Sequence, residues 1–216
     1  MKTVNTGDFL LKFEGIAEKE MLMYRAVIEM VQEDYDINSI KVSDITGRAG
    51  IGKGTAYEYF SSKEEIIVKA LLYDTYVQIK NIEQIMKKNI SFQEKYYLLL
   101  DFLEEKLPYT KGVGSLLKMF TGTYEVKETF RGEIEKFHLQ ENCPLIYVEK
   151  MIDDYMEQGF REGLFSEGEV VVRRSVFATQ VTGYIYCILN QYYAGGFTKE
   201  AARDFSYNGV LKLLNP

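Results

Sequence analysis

Hydrophobic positions between residues 41 and 63 follow a helical period that a glycine interrupts. Val42, Ile45 and Ala49 lie three and four residues apart, so a short helix can bury all three on one face. Gly50 follows at once, and a residue that tolerates a positive φ angle is the usual helix terminator. The pattern therefore predicts a helix that ends at a tight turn.

A second short helix is predicted immediately after this turn. Ile51 is a single apolar residue in the turn, where it can fill the gap between two helices. The segment 52–60 is small at its start and aromatic at its end. Two short helices joined in this way are typical of a helix-turn-helix, whose second helix enters the DNA major groove. An ordinary helical hairpin shows the same spacing, so both interpretations stay open on this pattern alone.

The second helix and its flanks favour the DNA-binding interpretation because they carry ammonium and hydroxyl donors, which phosphate oxygens accept. Lys53 and Tyr57 are four residues apart and share one face. Gly54 leaves no side chain where the helix would press against DNA. We expect most of these donors to bind phosphates, with Thr55 and Lys53 reaching base edges. The predicted DNA-binding residues are Lys41, Gly52, Lys53, Gly54, Thr55, Tyr57, Tyr59 and Lys63.

The same stretch resembles the DNA-binding signature of TetR-type (TetR/AcrR) transcriptional regulators. The resemblance is carried by Asp44-Ile45, Ala49-Gly50-Ile51, the run from Gly54 to Phe60, and Ser62-Lys63-Glu64. It covers roughly the first third of the chain. The family pattern usually closes the preceding helix with a Gly-aromatic pair, whereas this chain has Asp34-Tyr35-Asp36-Ile37 there, and Gly52 stands where a serine-like cap is usual.

The remaining sequence predicts an all-α protein of about nine helices. A helical stripe over 8–35 indicates a third helix that supports the helix-turn-helix. Capping-box patterns at Ser61, Ser91 and Ser166, each with a glutamate three residues later, predict the starts of three longer helices. We expect a three-helix DNA-binding domain over 1–63 and a larger helical domain for effector binding and dimerisation over 64–216.

Composition excludes several functional classes. The chain has 216 residues, a net charge of −6 and one histidine, His138, so an imidazole-based metal site is not expected. It shows no P-loop, nucleophile elbow or dinucleotide fingerprint, and we predict no catalytic residue, metal or cofactor. No apolar run approaches the ~20 residues of a membrane span. Four basic and two acidic side chains between 37 and 63 make that stretch locally positive, and the acidic remainder would confine DNA contact to it.

The helical body is rich in aromatic and methionine residues, which suit a pocket for mixed apolar and polar ligands. Plain core packing explains any single one of them better. The TetR-type resemblance implies that such a body encloses a small-molecule pocket. Its predicted lining is Met119, Phe120, Tyr124, Tyr147, Met151, Tyr155, Phe177 and Tyr184.

The last two long helices are predicted to form a homodimer interface. Residues 169–193 carry apolar groups on more than one face, so one face can serve the chain's own core and another can meet a partner. The family resemblance implies dimerisation through these two helices as a four-helix bundle.

The sequence therefore predicts a cytoplasmic, homodimeric DNA-binding regulator that is not an enzyme. By resemblance it is a repressor that a small apolar or aromatic molecule releases from a double-stranded operator; activation stays open. A dimeric DNA-binding regulator without an effector is an alternative, and an all-α enzyme is a weaker one. The sequence does not identify the effector, the operator or the regulated genes.

Overall fold

The protein is all-α in the part of the chain that the structure describes. The computed structural model describes residues 13, 15–106, 144–166, 168–189 and 198–215. These residues form eight helices and no strand, in agreement with the predicted fold class. The helices are α1 (Glu18–Gln32), α2 (Val42–Ala49), α3 (Lys53–Tyr59), α4 (Lys63–Met86), α5 (Phe92–Lys106), α6 (Pro144–Arg161), α7 (Val170–Leu189) and α8 (Lys199–Leu214).

Backbone contacts divide the chain into two compact units. The first unit comprises the residues up to Ile79 and the segment 109–146; within that segment, only 144–146 are described. The second unit comprises 80–108 and 147–216. Helix α4 contributes to both. The functional division at residues 63 and 64, predicted from the sequence, stays a prediction.

The core of the first unit is built by the helix-turn-helix, its supporting helix and the start of α4. Helix α1 packs on α2 and α3, which also contact each other. Ile51 is half-buried and packs against this core, as predicted for the turn. The fully buried aliphatic residues of the cluster include Val27, Ile40, Ile45, Ile66, Ile67, Val68, Leu71 and Leu72.

An aromatic cluster forms the core of the second unit, between α5, α6, α7 and α8. The rings of Phe92 and Tyr155 are stacked, with centroids 4.3 Å apart and planes 8° from parallel. Tyr96 and Phe177 approach edge to face at 5.9 Å. The buried hydroxyl of Tyr155 donates to the Phe92 carbonyl oxygen at 2.7 Å. Burial raises the pKa of Tyr155, so it stays a neutral donor.

The predicted helix starts are confirmed in one case and shifted in two. Ser91 accepts a hydrogen bond from the Glu94 amide at 3.2 Å and donates its own amide to the Glu94 carboxylate, which is the predicted capping box. At α4 the cap is Ser62 rather than Ser61, because Ser62 Oγ accepts the Glu65 amide at 3.0 Å. Ser166 does not cap α7; its amide and hydroxyl both contact Asn215 Oδ1.

Candidate nucleic-acid interface

The turn between α2 and α3 has a helix-ending geometry that requires glycine. Gly50 adopts φ +68°, and the amide of the next residue, Ile51, donates to the Thr46 carbonyl oxygen at 3.0 Å. This bond spans one helical turn and satisfies a carbonyl that the end of α2 leaves open. The chain therefore changes direction within the three residues 50–52, and α3 packs against α1 and α2.

Helix α3 starts without a side-chain cap. Gly52 is its N-cap in extended conformation, with φ −71° and ψ 146°, and its carbonyl oxygen accepts the Thr55 amide at 3.0 Å. The start of α3 thus relies on backbone geometry, as the glycine in place of a serine-like cap indicated.

One side of α3 is packed and the other is open. Ala56 is completely buried in the core of the first unit, and Phe60 follows it into that core. Tyr57 is 54% exposed, and Lys53 and Tyr59 are also exposed. Among the described residues, the side chains of these three have no hydrogen-bond or ion-pair partner. The helix therefore presents an ammonium and two phenol hydroxyls that the fold itself does not use.

The structure separates the remaining predicted DNA-binding residues. Gly52 and Gly54 are exposed, Thr55 is half-buried, and Lys41 is exposed immediately before α2. Lys63 has a partner inside the chain: its ammonium donates to the Asn38 carbonyl oxygen at 3.3 Å, and its side chain is only 18% exposed. Lys63 therefore ties the turn after α1 to the start of α4.

The positive charge of this surface is smaller than the sequence count suggests. Arg48 makes a bidentate contact with Glu33 at 2.7 and 2.9 Å and lies 3.8 Å from Glu29. Its guanidinium also lies over the ring of Tyr35, 5.8 Å from the centroid. The hydrogen bond from Arg48 lowers the pKa of Glu33, which keeps this pair charged. Arg48 is thus a link between α1 and α2.

The helix before the helix-turn-helix ends on an aspartate in a glycine-like conformation. Asp34 has φ +67°, and the amide of Tyr35 donates to the Met30 carbonyl oxygen at 3.0 Å. Asp34 and Tyr35 therefore stand where the TetR-type pattern usually has a Gly-aromatic pair, and aspartate tolerates this backbone region better than most residues.

The predicted pocket residues fall into three groups. Met119, Phe120 and Tyr124 lie outside the described residues. Tyr155, Phe177 and Tyr184 are buried members of the aromatic cluster, where they pack against other side chains of the second unit. Tyr147 and Met151 are half-buried on α6, and the Tyr147 hydroxyl donates to Glu83 Oε1. The pocket assignment stays a prediction.

Helices α7 and α8 pack against each other and expose further apolar surface. The exposed residues of α7 include Val171, Ser175, Ala178, Thr182 and Tyr186, which recur every three or four positions. In α8, Phe205 and Leu213 are more than half exposed. No helix in the described parts of the chain is both long and apolar enough to cross a membrane.

Three comparisons relate this geometry to known proteins. Residues 27–70 match the model of a family described as bacterial regulatory proteins, tetR family. A fatty acid metabolism regulator protein of Bacillus subtilis (strain 168) is 24% identical over 165 residues, which cover 74% of this chain and 79% of that protein.

Solved structures show the same fold over most of the chain. The transcriptional regulator FadR from Bacillus subtilis, in complex with stearoyl-CoA, has a TM-score of 0.60 at 19% identity and covers 90% of this chain and 97% of its own. The fatty acid degradation regulator FadR from Bacillus halodurans has a TM-score of 0.63 at 16% identity, with 93% and 97% covered. A TetR transcription regulator from Haloarcula marismortui reaches 0.65 at 16% identity, with 93% and 100% covered.

The family match covers the end of α1, all of α2 and α3 and the start of α4, so it includes the turn at Gly50 and the open face of α3. The fold of the remaining helices agrees with that of the solved regulators. Residues 27–70 are thus similar to the DNA-binding part of the tetR family of bacterial regulatory proteins, and the chain shares its fold with solved transcriptional regulators.

Proposed function

We propose that the protein is a homodimeric, DNA-binding transcriptional repressor that a small apolar or aromatic molecule releases from its operator. One observation carries the DNA-binding part: α3 buries Ala56 and leaves Lys53, Tyr57 and Tyr59 exposed without a partner among the described residues. Donors that the fold does not use, on a helix held by a tight turn, suit phosphate oxygens beside a major groove. The protein would act in the cytoplasm, where bacterial DNA lies.

Two copies are needed because one α3 offers few contacts. Of the basic side chains between 37 and 63, Arg48 is paired with Glu33 and Lys63 is bonded to Asn38. Lys41 and Lys53 are exposed, and their side chains have no partner among the described residues. Successive major grooves on one side of DNA are about 34–36 Å apart, so a dimer can place two α3 helices in them. Because the logarithm of the binding constant grows with the number of phosphate contacts, doubling the contacts roughly squares the factor by which they raise the affinity.

The exposed stripe of α7 supports dimerisation through the last two long helices. Its middle consists of the small residues Ser175, Ala178 and Thr182, and small residues let helix backbones approach closely. Val171 and Leu213 add exposed apolar surface at the ends of α7 and α8. Two copies of this helix pair would bury these groups in a four-helix bundle.

The effector is proposed to be a molecule with a long apolar chain, and acyl-CoA thioesters are the class to test first. The support is that a related regulator of the same fold was solved with stearoyl-CoA. Of the predicted lining residues that are described, Tyr147 and Met151 lie four residues apart on α6 and outside the packed ring cluster, so these two are the best placed to face a ligand. The ligand would favour a conformation with lower affinity for the operator.

The test has two stages. Enrichment of DNA duplexes from a random pool first identifies the operator, and Lys53→Ala should weaken its binding. Fluorescence anisotropy then measures operator affinity with stearoyl-CoA, and with free CoA as the control. We expect stearoyl-CoA to weaken binding by about 5- to 150-fold, the usual size of allosteric coupling, and CoA to have no effect.

The outcomes separate the alternatives. If the chain enriches an operator but no acyl-CoA changes its affinity, the protein is a dimeric DNA-binding regulator without this effector class. If no sequence is enriched, the DNA-binding function itself is contradicted.

A further inference from the structure

The side chain of α3 that lies opposite its buried face is a carboxylate. Successive residues of an α-helix are rotated by about 100°, so Glu58 points away from the buried Ala56, two positions earlier. Gly54 lies four residues before Glu58 on the same outward face. Lys53 and Tyr57 flank this face on one side, and Thr55 and Tyr59 flank it on the other.

Glu58 has no structural role that the fold reveals. It is exposed, and within the described residues its carboxylate makes no hydrogen bond or ion pair. Two other glutamates of the first unit have partners: Glu33 binds Arg48, and Glu65 binds Ser61. A carboxylate amid phosphate-binding donors also repels DNA, which weakens binding to every sequence unless the carboxylate itself meets a donor.

Gly54 gives the outward face room to approach a surface. A Cβ atom placed there would meet nothing within 4 Å, so packing inside the chain does not require a glycine. A glycine within a helix costs about 1 kcal/mol relative to alanine. The bare backbone instead shortens the distance from the helix axis to whatever α3 approaches, and Glu58 is then the side chain that extends furthest from this face.

We propose that Glu58 reads a base, by accepting a hydrogen bond from the N4 amino group of a cytosine in the major groove. Guanine and thymine present acceptors there, which repel a carboxylate, and adenine places its N7 acceptor beside its amino group. Cytosine is the base whose own major-groove edge presents an amino donor and no acceptor, since the neighbouring O6 acceptor belongs to the paired guanine. The flanking donors fix the register on the phosphates, while Glu58 selects the sequence. The inference rests on the proposed DNA-binding function.

The test is enrichment of random duplexes by the full-length protein and its variants, sequenced in parallel at one salt concentration. The wild-type protein should prefer cytosine at one position of each half-site, by on the order of tenfold. Glu58→Ala should lose that preference and keep the rest of the motif. Glu58→Gln should shift the preference toward adenine, because a carboxamide can both accept from N6 and donate to N7.

A second measurement separates base reading from general repulsion. Glu58→Ala should bind a duplex of unrelated sequence more tightly than the wild type, and the cytosine-containing operator more weakly. Asp154→Asn is the matched control, since it removes one exposed carboxylate on α6 and should change neither affinity.

Identical motifs for the wild type and Glu58→Ala overturn the inference and leave the DNA-binding function in place. A preference at the affected position for a base other than cytosine overturns it as well. If the wild type enriches no motif, the proposed function fails and this inference fails with it.

Discussion

The ammonium nitrogen of Lys63 lies 3.3 Å from the carbonyl oxygen of Asn38, 25 positions earlier in the chain. Lys53, ten positions before Lys63, is exposed and has no such contact in the described part of the protein. Two lysines that the sequence assigns to one DNA-binding surface thus have different surroundings, and substitution should separate their roles.

Lys53→Met should lower the slope of log binding constant against log salt concentration by about one per chain, because one phosphate contact is lost. Its free energy of unfolding should stay within about 0.5 kcal/mol of the wild type. Lys63→Met should lower the free energy of unfolding by about 1 kcal/mol, through the lost hydrogen bond, with an unchanged salt slope. Salt titrations and urea unfolding measure both quantities. A reduced salt slope for Lys63→Met would instead show that Lys63 also contacts a phosphate.

Glu65 at the start of α4 should make stability depend on pH in acid. Burial alone raises the pKa of Glu65, but hydrogen bonds from Lys69 and Ser61 outweigh burial and lower the pKa to about 2. Because the folded pKa lies below the unfolded value of about 4.3, this stabilisation is fully present above pH ~4.3 and is lost as the pH falls through 2.

Glu65→Gln should therefore lower the free energy of unfolding by about 1 kcal/mol at pH 7, a value reduced for solvent screening of this partly exposed group. The difference between variant and wild type should shrink as the pH approaches 2. Urea unfolding at a series of pH values measures it, and a difference that does not vary with pH would contradict this assignment.

Gly159 and Gly54 should respond oppositely to alanine. A Cβ atom at Gly159 would lie 2.6 Å from the Phe165 ring and 2.9 Å from Phe92, and rigid rings cannot move aside cheaply. We expect Gly159→Ala to lower the free energy of unfolding by about 1–3 kcal/mol.

At Gly54 the space is open, so Gly54→Ala should raise stability by up to about 1 kcal/mol. The same methyl group should weaken operator binding by holding α3 away from DNA. Thermal unfolding measures the stability of both variants, and fluorescence anisotropy measures the operator affinity of Gly54→Ala. Tighter operator binding by Gly54→Ala would show that no close approach occurs there.

The proposed dimer interface predicts that a charge at its centre produces monomers. Ala178→Glu places a carboxylate in the middle of the exposed α7 stripe, where burial on dimerisation would leave it unpaired. Light scattering should then show a monomer, and operator affinity should fall at least tenfold through loss of the second α3. Gln84→Glu adds the same charge at an exposed site on α4 and should stay dimeric. A dimeric Ala178→Glu protein would exclude this face.

Local sequence was sufficient where one turn of chain determines the structure. Gly50 and Ile51 predicted the turn, and the Ser91 capping box was correct, because all atoms involved lie within a few residues. At α4 two adjacent serines precede two glutamates, so either register satisfies the capping pattern, and the structure uses the later one.

The sequence pattern could not predict contacts between residues that lie far apart in the chain. Ser166 hydrogen-bonds to Asn215, 49 positions away, which removes it from the helix start that its local pattern predicted. Arg48 and Lys63 both counted toward the positive charge of residues 37–63, and the sequence pattern does not show that each has a partner, 15 and 25 positions earlier. The outward position of Glu58 follows from the helical period and the burial of Ala56 alone. The net-charge count treated Glu58 only as one negative charge and so did not reveal this position.

The ring cluster of the second unit also gives the protein an internal optical signal. The chain contains 17 tyrosines and no tryptophan, so its ultraviolet emission comes from phenol rings. The ring centroids of Tyr96 and Tyr207 lie 5.6 Å apart, and the rings of Tyr155 and Phe92 are stacked. The tyrosine fluorescence of this cluster changes when its rings separate. A single tryptophan introduced elsewhere would be the sole source of tryptophan fluorescence. Ligand binding and dimer assembly can thus be followed in the same sample without a chemical label.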